Sequence, residues 1–119
     1  MAKVLIVDDE EDILDFVGGY FESIGHEVFR TLYGQEAISI LLKEEPDVAF
    51  IDVRLKDATN GLTVIKEVHE KAPEQKMILF TAFQDVQELA LKNGALFCIS
   101  KPSGLKELEE AIGKAMNWK

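Results

Sequence analysis

Asp47-Val48-Ala49-Phe50-Ile51-Asp52 is the stretch that decides the fold of this chain. Val48 to Ile51 is an uninterrupted apolar run, the pattern of a strand covered on both faces of a sheet. Asp52 stands where that strand leaves the core. The polar segment Lys56 to Gly61 beyond it ends in Asn-Gly and reads as a loop. In an open parallel sheet the carboxyl ends of the strands are where ligands and chemistry collect. A single aspartate there can equally be a turn cap, so the other strand ends decide the matter.

Val4 to Val7 is a second all-apolar run. Asp8-Asp9-Glu10-Glu11-Asp12 follows it, then Ile13, Phe16, Val17, Tyr20, Phe21 and Ile24 at helical spacing, taken as the inward stripe of a first helix. Acidic residues suit the first turn of a helix and a glycine such as Gly25 suits its end. Gly18 and Gly19 are out of place inside it, each costing about 1 kcal/mol relative to Ala. Glu27 to Thr31 reads as a strand, and Gly34 to Lys43 as a helix with Ala37, Ile38, Leu41 and Leu42 inward. Leu62, Val64, Ile65 and Val68 mark a further helix, Lys76 to Phe80 a strand, and Asp85 to Lys92 a short helix. Leu96 to Ile99 is a strand. Leu105, Leu108, Ile112, Ala115 and Met116 mark the last helix, with Trp118 finishing its packing. Five strands alternating with five helices predict an α/β fold, a parallel sheet covered on both faces in a three-layer sandwich. With no repeat, low-complexity segment or linker, residues 1–119 read as one domain.

Hydrophobic residues at 47% and charged residues at 29% describe a globular chain with no signature of disorder. The net charge of −9 argues against direct nucleic-acid binding, which needs clustered Lys and Arg, and allows cations and basic partners. No apolar run approaches the roughly 20 residues of a membrane span, and the N-terminal apolar run is too short for a signal peptide. The lone Cys98 excludes an intrachain disulfide and fits a reducing compartment, so the expected location is cytoplasmic.

The strand ends, taken together, carry Asp8 and Asp9, then Asp52, then Thr81, then Lys101. Parallel strands point one way, so these residues share one edge of the sheet. Two carboxylates about 4 Å apart repel by about 4 kcal/mol at an effective dielectric of about 20. A pocket holding three of them calls for a cation, and hard oxygen ligands with room for water favour Mg²⁺. Lys101 offsets part of the charge and can pair with a carboxylate or an incoming phosphate.

Asp8-Asp9-Glu10, Ile51-Asp52, Phe80-Thr81-Ala82 and Lys101-Pro102, in this order on a repeating βα pattern, resemble the receiver domain of two-component response regulators. The resemblance spans the whole chain. It implies the flavodoxin-like, doubly wound (βα)5 fold of the chemotaxis regulators. It also implies a phosphoryl group accepted by Asp52 from the phosphohistidine of a sensor histidine kinase or phosphotransfer protein, with Mg²⁺ as cofactor. On the same resemblance Asp9 binds Mg²⁺ directly, Asp8 acts mainly through metal-bound water, and Asp52 and the backbone carbonyl of Arg54 complete the ligands. Thr81 and Lys101 then contact the phosphoryl oxygens. The signal passes to a downstream effector protein or an output domain absent from this chain, and the chain is no enzyme beyond its own phosphorylation and dephosphorylation. A charged dimerising face is not evident, which implies a monomer or weak dimer.

The chain departs from the family pattern in four places. Cys98 stands where a switch aromatic is usual, with Phe97 beside it on the opposite strand face. The Thr81 to Gly94 segment is short. The Asp52 to Gly61 loop is long and carries Lys56 in place of a proline, and Ser103 follows Lys101-Pro102 where an apolar residue is frequent. These departures touch the relay to the output face and leave the phosphorylation chemistry intact. The alternative they raise is a pseudo-receiver, a protein-interaction module without the switch. A phosphatase of the haloacid dehalogenase type would need a second Asp where Arg54 stands. Leu14 and Gly18, off the inward stripe, suggest an exposed docking patch for the kinase, and His26 and His69 read as solvated.

Overall fold

The computed structural model describes residues 1–118. In chain order they form β1 (Lys3–Val7), α1 (Glu11–Ser23), β2 (Glu27–Thr31), α2 (Gly34–Glu44), β3 (Val48–Ile51), α3 (Gly61–Lys71), β4 (Met77–Thr81), α4 (Gln87–Asn93), β5 (Phe97–Ser100) and α5 (Leu105–Met116). The strands are all parallel and run β2-β1-β3-β4-β5 across the sheet. This is the parallel, two-sided sheet that the alternating pattern predicts, in the doubly wound, flavodoxin-like order that the resemblance implies. Strand order reverses between β1 and β3, which puts a topological switch point between Val7 and Ile51.

Alternate strand residues feed two cores. Val4, Ile6, Val48, Phe50, Ile78, Phe80 and Ile99 pack under α1 and α5. Leu5, Val7, Ala49, Ile51, Met77 and Leu79 pack under α2, α3 and α4. The central strands β3 and β4 are buried at every residue, which is why they read as continuous apolar runs, whereas the edge strands β2 and β5 are only partly covered. Among the described residues no helix is long and apolar enough to cross a membrane.

The first helix faces the core with a different stripe from the one predicted. Leu14, Val17, Gly18 and Phe21 are buried, with Phe21 against Phe50 at 5.6 Å between ring centroids. Phe16 is instead 65% exposed, and Ile24 is exposed as well. The reading of Leu14 and Gly18 as an outer docking patch is therefore corrected: both lie inside. Their burial has a cause on β2. Arg30 crosses over α1, its Nε donating to the Leu14 carbonyl at 3.1 Å while its guanidinium forks onto Glu22. A Cβ on Gly18 would sit 2.6 Å from that guanidinium, so the glycine makes room for it.

Smaller corrections follow from tertiary packing. Leu42 and Met116 lie on the solvent side of their helices, and Ala111 takes a core position of α5. Gly61 opens α3 rather than ending the loop, with Asn60 as its cap accepting from the Thr63 amide. The turn at 84–86 shortens α4 to Gln87–Asn93. Neither histidine is free in solvent. His26 Nδ1 accepts from the Ala2 amide at 2.9 Å, and the His69 ring packs against Gly94 with its Nδ1 buried and unpartnered. Trp118 stacks on Phe97 at 5.5 Å, and Lys114 Nζ sits 4.3 Å from the Phe97 centroid.

Candidate functional site

The sheet ladder continues one residue past the strands and thereby sets the site. The Asp52 amide donates to the Val7 carbonyl at 2.9 Å, the Asp8 amide to the Thr31 carbonyl at 3.2 Å, and the Lys101 amide to the Thr81 carbonyl at 3.0 Å. Asp8, Asp52, Thr81 and Lys101 therefore stand along one edge of the sheet, as parallel strands require. Asp8, Asp52 and Thr81 are buried, at 1%, 6% and 0% exposure.

Lys101 joins the two buried carboxylates. Its Nζ lies 2.5 Å from Asp8 Oδ2 and 3.0 Å from Asp52 Oδ2, and 5.1 Å from the centroid of the Phe80 ring. Burial pushes the Asp8 carboxyl up to about 6, against the pull of the Lys101 ammonium and with a further push from the Asp52 charge. Burial alone would lower the Lys101 ammonium, but its bonds to Asp8 and Asp52 outweigh that and hold it above its ordinary value. The rise is therefore chiefly the cost of keeping a carboxylate out of water, which the Lys101 ammonium offsets only in part.

The carboxylates of Asp8, Asp9 and Glu10 reach within 4.8 Å of one another. These are hard oxygen donors with differing exposure, and they fit a hydrated Mg²⁺. Glu10 belongs to this group although the sequence reading passed over it; the run Asp8-Asp9-Glu10 was its signal. Asp8 is braced by the Glu10 amide, which donates to its Oδ1 at 3.1 Å, and Asp52 Oδ1 accepts from the Val53 amide at 2.7 Å. Arg54 is in the turn directly after Asp52, with its guanidinium 5.2 Å from the Phe83 centroid.

Thr81 Oγ1 accepts from the Phe83 amide at 3.3 Å, tying the end of β4 to the turn that leads into α4. Cys98 faces the α4 side of the sheet, its Sγ 3.9 Å from the Gln87 carbonyl, while Phe97 packs on the opposite face. Burial raises the Cys98 thiol, which suits a packing residue and not a reactive one. Leu14 and Gly18 are not brought into the site. Beside it, Ile13, Phe16, Val17, Lys101, Pro102 and Leu105 line a largely apolar groove of about 370 Å³ between α1 and the start of α5.

Residues 4–113 match the response regulator receiver domain family. Among curated proteins, the response regulator SaeR of Staphylococcus aureus (strain USA300) is 36% identical over 110 residues, covering 91% of this chain and 47% of SaeR. The chain thus spans about half the length of the curated relatives it matches. Among solved structures, a response regulator receiver domain protein (CheY-like) from Methanospirillum hungatei JF-1 superimposes with a TM-score of 0.92 at 28% identity, over 98% of this chain and 94% of that one. The receiver domain of NtrX from Brucella abortus gives a TM-score of 0.89 at 26% identity, over 98% and 99% of the two chains. The family match over residues 4–113, the 36% identity to SaeR and the superposition of the whole β2-β1-β3-β4-β5 fold point one way: the chain belongs to the response regulator receiver domain family.

Proposed function

We propose that residues 1–119 act as one phosphoacceptor domain in which Asp52 takes the phosphoryl group. The observation that carries this reading is the Lys101 ammonium bridging Asp8 and Asp52 at the ends of neighbouring strands. A carboxylate oxygen of Asp52 attacks the phosphorus of a phosphohistidine on a sensor kinase or phosphotransfer protein. The P–N bond breaks, an aspartyl phosphate forms, and the donor imidazole leaves and picks up a proton. Transfer of this kind is governed by positioning and charge neutralisation. We assign Mg²⁺ to Asp8, Asp9 and Asp52 with the backbone carbonyl of Arg54; Asp8 and Asp9 share one carboxylate cluster with Glu10, which is close enough to contribute through water. When bound, the cation neutralises charge on the transferring oxygens.

Lys101 then exchanges its bond to the Asp52 carboxylate for one to a phosphoryl oxygen and keeps its bond to Asp8. The Thr81 hydroxyl, now bonded to the Phe83 amide, turns to donate to another. That movement shifts the turn ahead of α4, and Cys98, under α4, transmits it with a side chain smaller than an aromatic ring. The domain turns over no separate substrate. It signals from the cytoplasm by protein contact, as a monomer or weak dimer, to an effector or to an output domain of the longer protein that relatives about twice its length suggest. The kinase seats its helix in the apolar groove beside Lys101, where Phe16 stands exposed.

Intact mass after incubation with acetyl phosphate and Mg²⁺ tests the assignment. One added phosphoryl group, absent from Asp52→Asn and from a metal-free sample, is the expected result. An adduct that survives in Asp52→Asn would sink it.

A further inference from the structure

The loop after the acceptor is docked onto a neighbouring helix by a residue outside the acidic cluster. Asp57 accepts from the Gly34 amide through Oδ1 at 2.8 Å and from the Gln35 amide through Oδ2 at 3.1 Å. These amides open α2, whose own N-cap, Tyr33, offers no side-chain bond, and first-turn amides have no partner within their helix. Gln35 returns the contact, its Nε2 donating to Thr59 Oγ1 at 2.7 Å, and the Lys56 amide donates to the Leu32 carbonyl at 2.8 Å. The approach is close. A Cβ on Gly34 would lie 2.3 Å from the Thr59 carbonyl oxygen. At the inner end the Gly61 amide donates to the Val53 carbonyl at 2.7 Å, so the loop is fastened on both sides of Arg54-Leu55-Lys56.

We propose that Asp57 is a positioning residue for the cation site, holding the loop that carries the Arg54 carbonyl by capping α2. This rests on the assignment of that carbonyl as a metal ligand. The loop has no proline to stiffen it, and Asp57 supplies the restraint from outside by a bond to another element. Metal binding and order at the α2 N-terminus are then linked, and linkage is reciprocal.

Calorimetric titration of Mg²⁺ into the full chain, beside Asp57→Ala, Asp57→Asn and Gly34→Ala, tests the proposal. Asp57→Ala is expected to weaken Mg²⁺ about tenfold, the low end for residues that orient metal ligands. Asp57→Asn keeps one acceptor oxygen and falls between. Gly34→Ala pushes on Thr59 from the helix side and weakens binding comparably. Amide hydrogen exchange gives a second readout: Mg²⁺ slows exchange at Gly34 and Gln35 in the wild-type protein and not in Asp57→Ala. Unchanged affinity in Asp57→Ala and Gly34→Ala overturns the proposal and leaves the site assignment standing, as does a wild-type α2 indifferent to Mg²⁺. A wild-type protein that binds no Mg²⁺ overturns both.

Discussion

Gly61 is packed so tightly on Asp52 that a Cβ added to it would lie 1.8 Å from the Asp52 carbonyl oxygen. The atom in the way is backbone, so no side-chain rotation relieves the clash. Gly61→Ala must therefore move either the acceptor's peptide or the start of α3. Overpacking of this kind costs about 1–3 kcal/mol, and a backbone obstacle places this case at about 3. The expected result is a clear drop in thermal midpoint together with slower acetyl phosphate labelling of the folded protein. Labelling at the wild-type rate in a folded Gly61→Ala protein would show that the acceptor tolerates displacement.

Among the described residues Lys101 is the only counter-charge bonded to both Asp8 and Asp52, and all three side chains are at most 15% exposed. Removing one partner of a buried ionic cluster costs about 3–5 kcal/mol because the remaining charges are left uncompensated. Lys101→Met is accordingly expected to be strongly destabilised in EDTA. Added Mg²⁺ then restores more stability to the variant than it adds to the wild type, since it takes over the neutralising role. Denaturant melts with and without Mg²⁺ check this, and a Lys101→Met protein as stable as wild type in EDTA would contradict the electrostatic account.

All ten elements were legible in the sequence, the strands in the middle of the sheet most plainly, and the side-chain contacts whose partners are remote were not. Val4 to Val7 and Val48 to Ile51 announce themselves because strands buried on both faces must be apolar throughout. The gathering of the candidate site residues at one sheet edge was legible too, since Asp8, Asp52, Thr81 and Lys101 each stand at the end of a parallel strand. On α1, apolar side chains fill an arc with Phe16 at one edge and Leu14 at the other, so periodicity alone does not say which edge turns inward. Arg30, reaching from β2 to Leu14 and Glu22, makes the choice, and nothing local to α1 records it. Asp57 was invisible likewise: its partners lie 23 and 22 residues away in α2.

Asp8 gives the metal-free protein a definite pH dependence. Its carboxyl is raised from 3.8 to about 6, so the folded state binds the proton more tightly than the unfolded chain. The sign follows: this group costs stability in full above pH 6, and the cost is relieved as pH falls from 6 toward 4. At about 1.4 kcal/mol per unit the cost near neutrality is on the order of 3 kcal/mol. A cation competes for the same oxygens, so the stabilisation by Mg²⁺ is full above pH 6 and fades below it. Asp8→Asn should be more stable than wild type in EDTA at pH 7 and lose the response to Mg²⁺. Equal Mg²⁺-induced shifts in melting temperature at pH 5 and pH 8 would refute this.

The burial of Leu14 and the exposure of Phe16 separate kinase docking from folding. Leu14 is 6% exposed within the core under α1, so Leu14→Arg buries a charge without a partner and is expected to cost well over 3 kcal/mol. It slows labelling by every donor, because it damages the fold. Phe16 is 65% exposed beside the groove that ends at Lys101, so Phe16→Ser leaves stability within about 0.5 kcal/mol. An exposed aromatic that becomes covered on docking is worth about 2 kcal/mol, or roughly thirtyfold in transfer efficiency. Transfer from a phosphorylated sensor kinase should therefore fall by about that factor in Phe16→Ser, while labelling by acetyl phosphate, which needs no docking surface, stays at the wild-type rate. Measuring both donors on both variants discriminates the cases. Equal slowing of the two donors in Phe16→Ser would place its effect on the acceptor site, and unchanged kinase transfer would move the docking surface elsewhere.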